Sequence, residues 1–230
     1  MGIKFFKFLK ASKKVLGLNG RSLDYLRPLN RKRSRLYADS KLLTKKLLME
    51  NDLPVSEVYG IITDSHDLQN FDWEYLPKSF VLKPNRGLAG GGIIVAFSRK
   101  NKKWITSSQK KLDQEYIENH IYNILDGHYS LANVSDIAFF EERIKVHPKL
   151  KPYTFRGIPD IRIIVHNNVP IMAMLRLPTK ESGGKANLAQ GGIGVGIDIS
   201  NGLTTNAIRK GNGFFENNID YYPENKGLSL

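Results

Sequence analysis

A lysine stands directly before a glycine-rich run in Lys83-Pro84-Asn85-Arg86-Gly87-Leu88-Ala89-Gly90-Gly91-Gly92. Strand-like residues flank it, Phe80 to Lys83 ahead and Gly92 to Phe97 behind. A cation at a strand end, followed by backbone without Cβ atoms, can bring an ammonium and several amides close to phosphate oxygens. The run is not the G-x-x-x-x-G-K-S/T loop, because its lysine precedes the glycines and a strand follows them. Glycines between two strands also serve a plain hairpin loop, so the motif alone leaves phosphate binding and a simple turn both open.

Four other segments carry groups suited to a site. Lys41 opens a helix, where the macrodipole disfavours a cation; an anionic partner or a solvated surface lysine would each explain it. Phe139-Phe140-Glu141-Glu142-Arg143-Ile144 ends an apolar strand in adjacent carboxylates, which are either surface glutamates or the edge of a base-binding segment. Asp160 and Arg162 share a strand face and form a candidate ion pair. Arg176 sits on an otherwise apolar strand ahead of the polar cluster Lys185-Ala186-Asn187, and an arginine there suits a carboxylate or phosphate. His66, His120, His128, His147 and His166 show no metal-ligand spacing, so structural or surface roles are expected.

Regular elements must hold these groups in place. Leu42, Leu43, Leu47 and Leu48 recur at helical spacing between Asp39 and Asn51, with Asp39 or Ser40 as N-cap and Pro54 beyond the end. A second helix is predicted between Gln109 and Ile124 from Leu112, Tyr116, Ile117, Ile121 and Ile124, with Gly127 after it. Strands are predicted at Val58 to Ile62, Ile137 to Ile144, Asp160 to His166 and Pro170 to Leu177. The alternation Ile193, Val195, Ile197, Ile199 then leads into a hairpin turn at Asn201-Gly202.

With 230 residues, 41% hydrophobic and 25% charged, the chain is long enough to bury a core of one or two domains. Zero cysteines exclude disulfides, thiolate metal sites and cysteine nucleophiles. The net charge of +13 attracts polyanions of several kinds. Part of the excess lies in Lys4 to Lys14 and in Arg27, Arg31, Lys32, Arg33 and Arg35, which describes a basic arm. Lysines interrupt the apolar N-terminal run, which argues against a signal peptide, and no transmembrane run exists, so a cytoplasmic protein is expected. Phe5, Phe6, Phe8 and Leu9 leave two readings, a packing helix or peripheral membrane contact by the arm.

Taken in order, these segments resemble the ATP-grasp ligases, particularly the alpha-L-glutamate ligase-like group related to ribosomal-protein glutamate ligases. The likeness runs through Leu18-Asn19-Gly20-Arg21-Ser22 with Tyr25, Asp39 to Lys46, Phe80 to Pro84 and Gly157 to Arg162. Its longest stretch is Met172 to Thr179, continuing through Gly184 to Leu188 and Gly194 to Asp198. The resemblance implies an α+β ATP-grasp fold in which two subdomains, residues 39–135 and 136–230, clamp ATP behind a basic segment at 1–38. It places Lys41 and Lys83 on the phosphates under a lid of Gly87, Gly90, Gly91 and Gly92, with Glu142 and Arg143 at the hinge beside adenine. Asp160 falls near the ribose, Lys185 and Asn187 near phosphates and metal, and Arg176 faces the reacting carboxylate. The implied chemistry uses ATP and Mg2+ to join a carboxylate to an amine, of an amino acid, peptide or protein, through an acyl phosphate.

Two departures accompany this likeness. The family's metal-binding aspartate and Glu-x-Asn strands are expected to be missing, because Leu230 follows soon after Tyr221 to Gly227, a segment resembling what precedes those strands. The metal ligands are therefore left unassigned: Glu216-Asn217-Asn218 fits by letters but stands among loop formers, and Asp198 reads as a turn residue. At the other end only a short basic segment precedes Lys41, in place of the α/β domain many ATP-grasp enzymes carry. The alternative reading is a noncatalytic ATP-binding or interaction protein. Sequence-specific nucleic-acid binding ranks lowest, because no aromatic platform is interleaved with the basic clusters.

Overall fold

The computed structural model describes residues 16–88, 90–209 and 214–215. Lys4 to Lys14 with the phenylalanines among them, Ala89, Glu216-Asn217-Asn218 and the Tyr221 to Gly227 segment lie outside the described residues. The chain divides into two compact units, Met1–Val55 and Ser56–Leu230.

The first unit is helical. Short helical turns run from Leu18 to Leu29, followed by α1 (Lys32–Asp39) and α2 (Lys41–Met49). The expected N-cap forms: the Ser40 hydroxyl accepts from the Leu43 amide at 3.2 Å, satisfying one of the donors a helix start leaves open. Lys41 is therefore the first residue of α2.

The second unit contains two antiparallel sheets, so the architecture is α+β. The first sheet is built from β1 (Val58–Ile62), β2 (Phe80–Pro84), β3 (Ile94–Lys100), β4 (Lys103–Thr106), β5 (Lys111–Leu112) and β6 (Ala138–Glu141), in the order β1-β6-β2-β3-β4-β5. Helix α3 (Ser65–Gln69) follows β1, and α4 (Gln114–Leu125) follows β5. The expected helix between Gln109 and Ile124 starts later because Leu112 pairs with Trp104 and the Asp113 carboxylate caps the Tyr116 amide at 3.1 Å.

Alternation decides what each face of this sheet does. Phe80 and Leu82 on β2, and Ala138 and Phe140 on β6, enter a core with Ile117, Ile121 and Ile124 of α4 and the indoles of Trp73 and Trp104. Phe80 meets Phe140 edge-on at 5.1 Å and Trp104 at 5.7 Å. Val81, Lys83, Phe139 and Glu141 necessarily share the opposite face.

The second sheet takes the order β11-β10-β9-β8-β7, from β7 (Asp160–His166), β8 (Val169–Leu177), β9 (Ile193–Ile197), β10 (Thr204–Arg209) and β11 (Phe214–Phe215). Leu175, Leu177, Val195 and Ala207 form its small core. The Asn201-Gly202 turn joins β9 to β10 as expected, with Gly202 at φ +74 and its amide donating to the Asp198 carbonyl at 2.8 Å. Among the described residues no helix is long and apolar enough to cross a membrane.

Candidate nucleotide-binding site

Lys83 is the penultimate residue of the central strand β2, on the face opposite the aromatic core. Its ammonium pairs with the carboxylate of Glu141 on β6, and the two side chains are 26% and 3% exposed. The register explains the meeting: Val81 lies opposite Glu141 and Lys83 opposite Phe139, so the two charged groups are diagonal neighbours on one face. The Ser56 hydroxyl donates to the other Glu141 oxygen at 3.1 Å. Glu141 is thus a buried carboxylate, not a surface one, whereas Glu142 beside it is exposed.

The glycine loop leaves β2 under tight constraint. The Asp136 side chain accepts the Arg86 amide and the Ile137 amide, each at 2.8 Å, while the buried Asn85 gives its amide to the Ile137 carbonyl at 2.8 Å. A Cβ at Gly87 would strike the Pro84 ring, and one at Gly92 would lie 2.7 Å from the Tyr129 ring. Gly92 and Gly90 also adopt φ values of +71 and +74, which glycine alone takes at little cost. Beyond the loop, the His120 ring nitrogen Nε2 lies 2.8 Å from the Gly92 carbonyl, and the Leu88 amide donates to the Tyr129 carbonyl at 3.2 Å. Gly91 lies between these anchored points, its amide donating to the Leu88 carbonyl at 2.8 Å.

Glu142 and Arg143 follow β6. The Glu142 amide donates to the Glu57 carbonyl at 2.8 Å. Arg143 donates from Nε to the Ser79 hydroxyl at 2.8 Å and lays its guanidinium over Phe97 at 4.4 Å. Burial pushes the Tyr59 phenol pKa up, with the Glu142 and Glu57 carboxylates adding to the shift.

On the second sheet, Asp160 pairs with Arg176 instead of the expected Arg162. Arg176 donates from Nε and from its terminal nitrogen to the two Asp160 oxygens, both at 2.6 Å. These residues are directly opposed in the β7–β8 register, and the paired carboxylate holds the guanidinium pKa above its ordinary value. Lys185 is exposed and Asn187 half-buried, in a loop knitted by Ser182 and Thr179, whose side chains bond each other's backbone. The Asn187 side chain accepts the Ala189 amide at 3.1 Å. Asp198 is the turn residue expected: Ser200 and Asn201 donate to it, and the Ser200 hydroxyl foremost lowers its pKa.

For a metal, the described residues offer one grouping of three ligands, Asp64, His66 and Asp67. Asp64 already caps α3 at the Asp67 amide, and Asp67 takes both the amide and hydroxyl of Thr63. These bonds account for the grouping without a metal.

A strand-end lysine before a braced glycine loop, on an α+β chain carrying Asp160 and Arg176 on a further antiparallel sheet, belongs to the ATP-grasp class of ATP-binding proteins. The family model that matches, over residues 20–226, is that of sugar-transfer associated ATP-grasp proteins, and the chain belongs to this family. The resemblance read from the sequence thus holds at the level of the superfamily. No curated protein and no solved structure matches the chain.

Sequence reasoning missed Asp136, His120 and Tyr129 as parts of this region, and it marked Glu141 only within the Phe139 to Ile144 segment, without its burial or its bond to Lys83. For Glu141 a signal was present: it has the same strand parity as Phe139, so a buried neighbour predicted a buried carboxylate.

Proposed function

We propose that the chain is an ATP-dependent carboxylate–amine ligase. ATP transfers its γ-phosphoryl group to a carboxylate, the amine attacks the acyl phosphate, and amide, ADP and phosphate are released. The observation that carries this reading is Lys83, held by a buried carboxylate at a central strand end directly before the braced glycine loop. In this reading Lys41 and Lys83 take phosphate oxygens, the amides around Gly87, Gly90, Gly91 and Gly92 cover them, and Glu142 and Arg143 flank the base. Asp160 meets the ribose, Lys185 and Asn187 approach the phosphates, and Arg176 meets the carboxylate. Magnesium, when bound with ATP, supplies charge neutralisation at the phosphates.

Glutamate is the first acid to test, as in the group the sequence resembles. The sugar-transfer description of the family adds sugar-borne carboxylates and amines to the panel. Replacing Lys83 by alanine should weaken ATP binding about tenfold or more in a calorimetric titration, the loss of one or more charge-assisted hydrogen bonds. Unchanged affinity sinks the phosphate role. ADP release with magnesium and the substrate panel tests the chemistry; ATP binding without turnover on any member favours the noncatalytic alternative.

A further inference from the structure

The Lys83–Glu141 pair departs from what a phosphate-binding lysine needs at minimum, which is an accessible ammonium. Here the ammonium already rests on a carboxylate that is 3% exposed, itself held by the Ser56 hydroxyl at 3.1 Å. Stripping the lysine from such a carboxylate would take a close counter-ion from a buried charge, a large cost. The pair therefore stays together when the nucleotide arrives. An ammonium has three N–H donors, so one bond to Glu141 leaves two for phosphate oxygens.

We propose that Glu141 is a positioning residue, fixing the Lys83 ammonium at the point from which it binds phosphate. The inference rests on the reading that Lys83 takes phosphate. Lysine has a flexible four-carbon stem, and without a fixed partner its ammonium samples many places. Glu141 lies on the strand adjacent to β2, so the anchor is as rigid as the sheet itself. The remaining donors are then directed toward the mouth of the glycine loop, where β2 ends.

Positioning and simple electrostatics predict opposite signs for one substitution. Glu141→Gln keeps the size and an acceptor oxygen but removes a negative charge near the phosphates, which by Coulomb attraction alone would tighten ATP binding. If Glu141 acts by fixing Lys83, the same change weakens it.

The test is calorimetric titration of the full chain with ATP and with adenosine, for the wild type, Glu141→Gln, Lys83→Ala and the double variant. Circular dichroism and thermal melting check that each variant is folded. Glu141→Gln is expected to lower ATP affinity roughly three- to tenfold, the scale of one charge-assisted hydrogen bond. Adenosine affinity should stay unchanged, and the change should add nothing in the Lys83→Ala background, because its effect passes through the lysine. Tighter ATP binding, an equal loss for adenosine, or full additivity in the double variant overturns the proposal. If Lys83→Ala leaves the preference for ATP over adenosine intact, the phosphate reading itself fails and the proposal falls with it. Should Glu141→Gln not fold, Glu141→Asp applies the same criteria by retracting the carboxylate while keeping its charge.

Discussion

The two sheets are both antiparallel and both carry residues assigned to the site, yet their interiors differ. In the first, α4 closes one face, and Trp104, Phe80, Phe140, Ile117, Ile121 and Ile124 are fully buried against each other. In the second, the buried core among the described residues is Leu175, Leu177, Val195 and Ala207, and toward its far end the β7–β8 hairpin exposes Ile161, Ile163, Val165, Val169 and Ile171 at 52–59%. The lysine that begins the glycine loop is thus mounted on the well-packed sheet. Asp160 and Arg176 stand where this small core meets the exposed hairpin. A rigid seat for Lys83 and a more yielding seat for the Asp160–Arg176 pair follow from the difference in packing.

That contrast can be broken by paired truncations. Phe140→Ala should cost about 3 to 5 kcal/mol in denaturant unfolding, since a ring touching Phe71, Trp73 and Phe80 leaves a cavity that cannot collapse. Leu175→Ala should fall near the lower end of the ~2–5 kcal/mol range for such changes, because the buried cluster around it among the described residues is small and relaxes more easily. Equal losses would erase the distinction between the sheets.

A smaller effect sharpens the description of the first sheet's loop. Gly92→Ala places a methyl group 2.7 Å from the Tyr129 ring at a φ of +71, so a loss of roughly 1–2 kcal/mol is expected from the left-handed backbone, with the ring contact adding to it. Because the strain lies beside the phosphate loop, ATP affinity should fall along with the melting temperature. A variant that melts early but binds ATP normally would separate the loop's fold from its function.

The smallest effect concerns the turn that joins β9 to β10 in the second sheet. Bonds from Ser200 first, then Asn201, hold the Asp198 carboxyl below its ordinary value near 3.8. A depressed folded value means that the stabilisation is fully present above the ordinary value and is lost as pH falls toward the folded one. Asp198→Asn should therefore cost a little stability at neutral pH, where the charged carboxylate contributes in full, and the difference from wild type should shrink as pH falls below about pH 4, the ordinary range for aspartate. A loss that stays the same size at acid pH would show that the turn depends on shape and not on charge.

How much of this was legible in the sequence depended on how local the cause was. The β1 and β7 bounds follow from runs of β-branched and apolar residues and were readable as they stand, as was the Ser40 cap of α2. The start of α4 was misplaced because Leu112, counted as part of the helical face, is claimed by Trp104 across a strand pair. Asp160 was matched with Arg162, its nearest same-face neighbour along the strand. Directly opposed residues across two strands approach more closely than i and i+2 along one, and the partner at Arg176 depends on a register that only the folded hairpin fixes. The site showed the same limit: Lys83 and the glycines announce themselves by type, whereas Glu141 and Asp136 matter through partners far away in the chain.

Asp136 carries one further consequence. It fastens the Arg86 amide at one end of the glycine loop, and the Gly92 carbonyl meets His120 at the other. The segment between them is a short bracket with both feet fixed. Its loop-closure entropy is lost when the chain folds, before any nucleotide is present. Ordering it around the triphosphate proposed to bind there would then demand little additional loss, so more of the gross interaction would appear as net affinity.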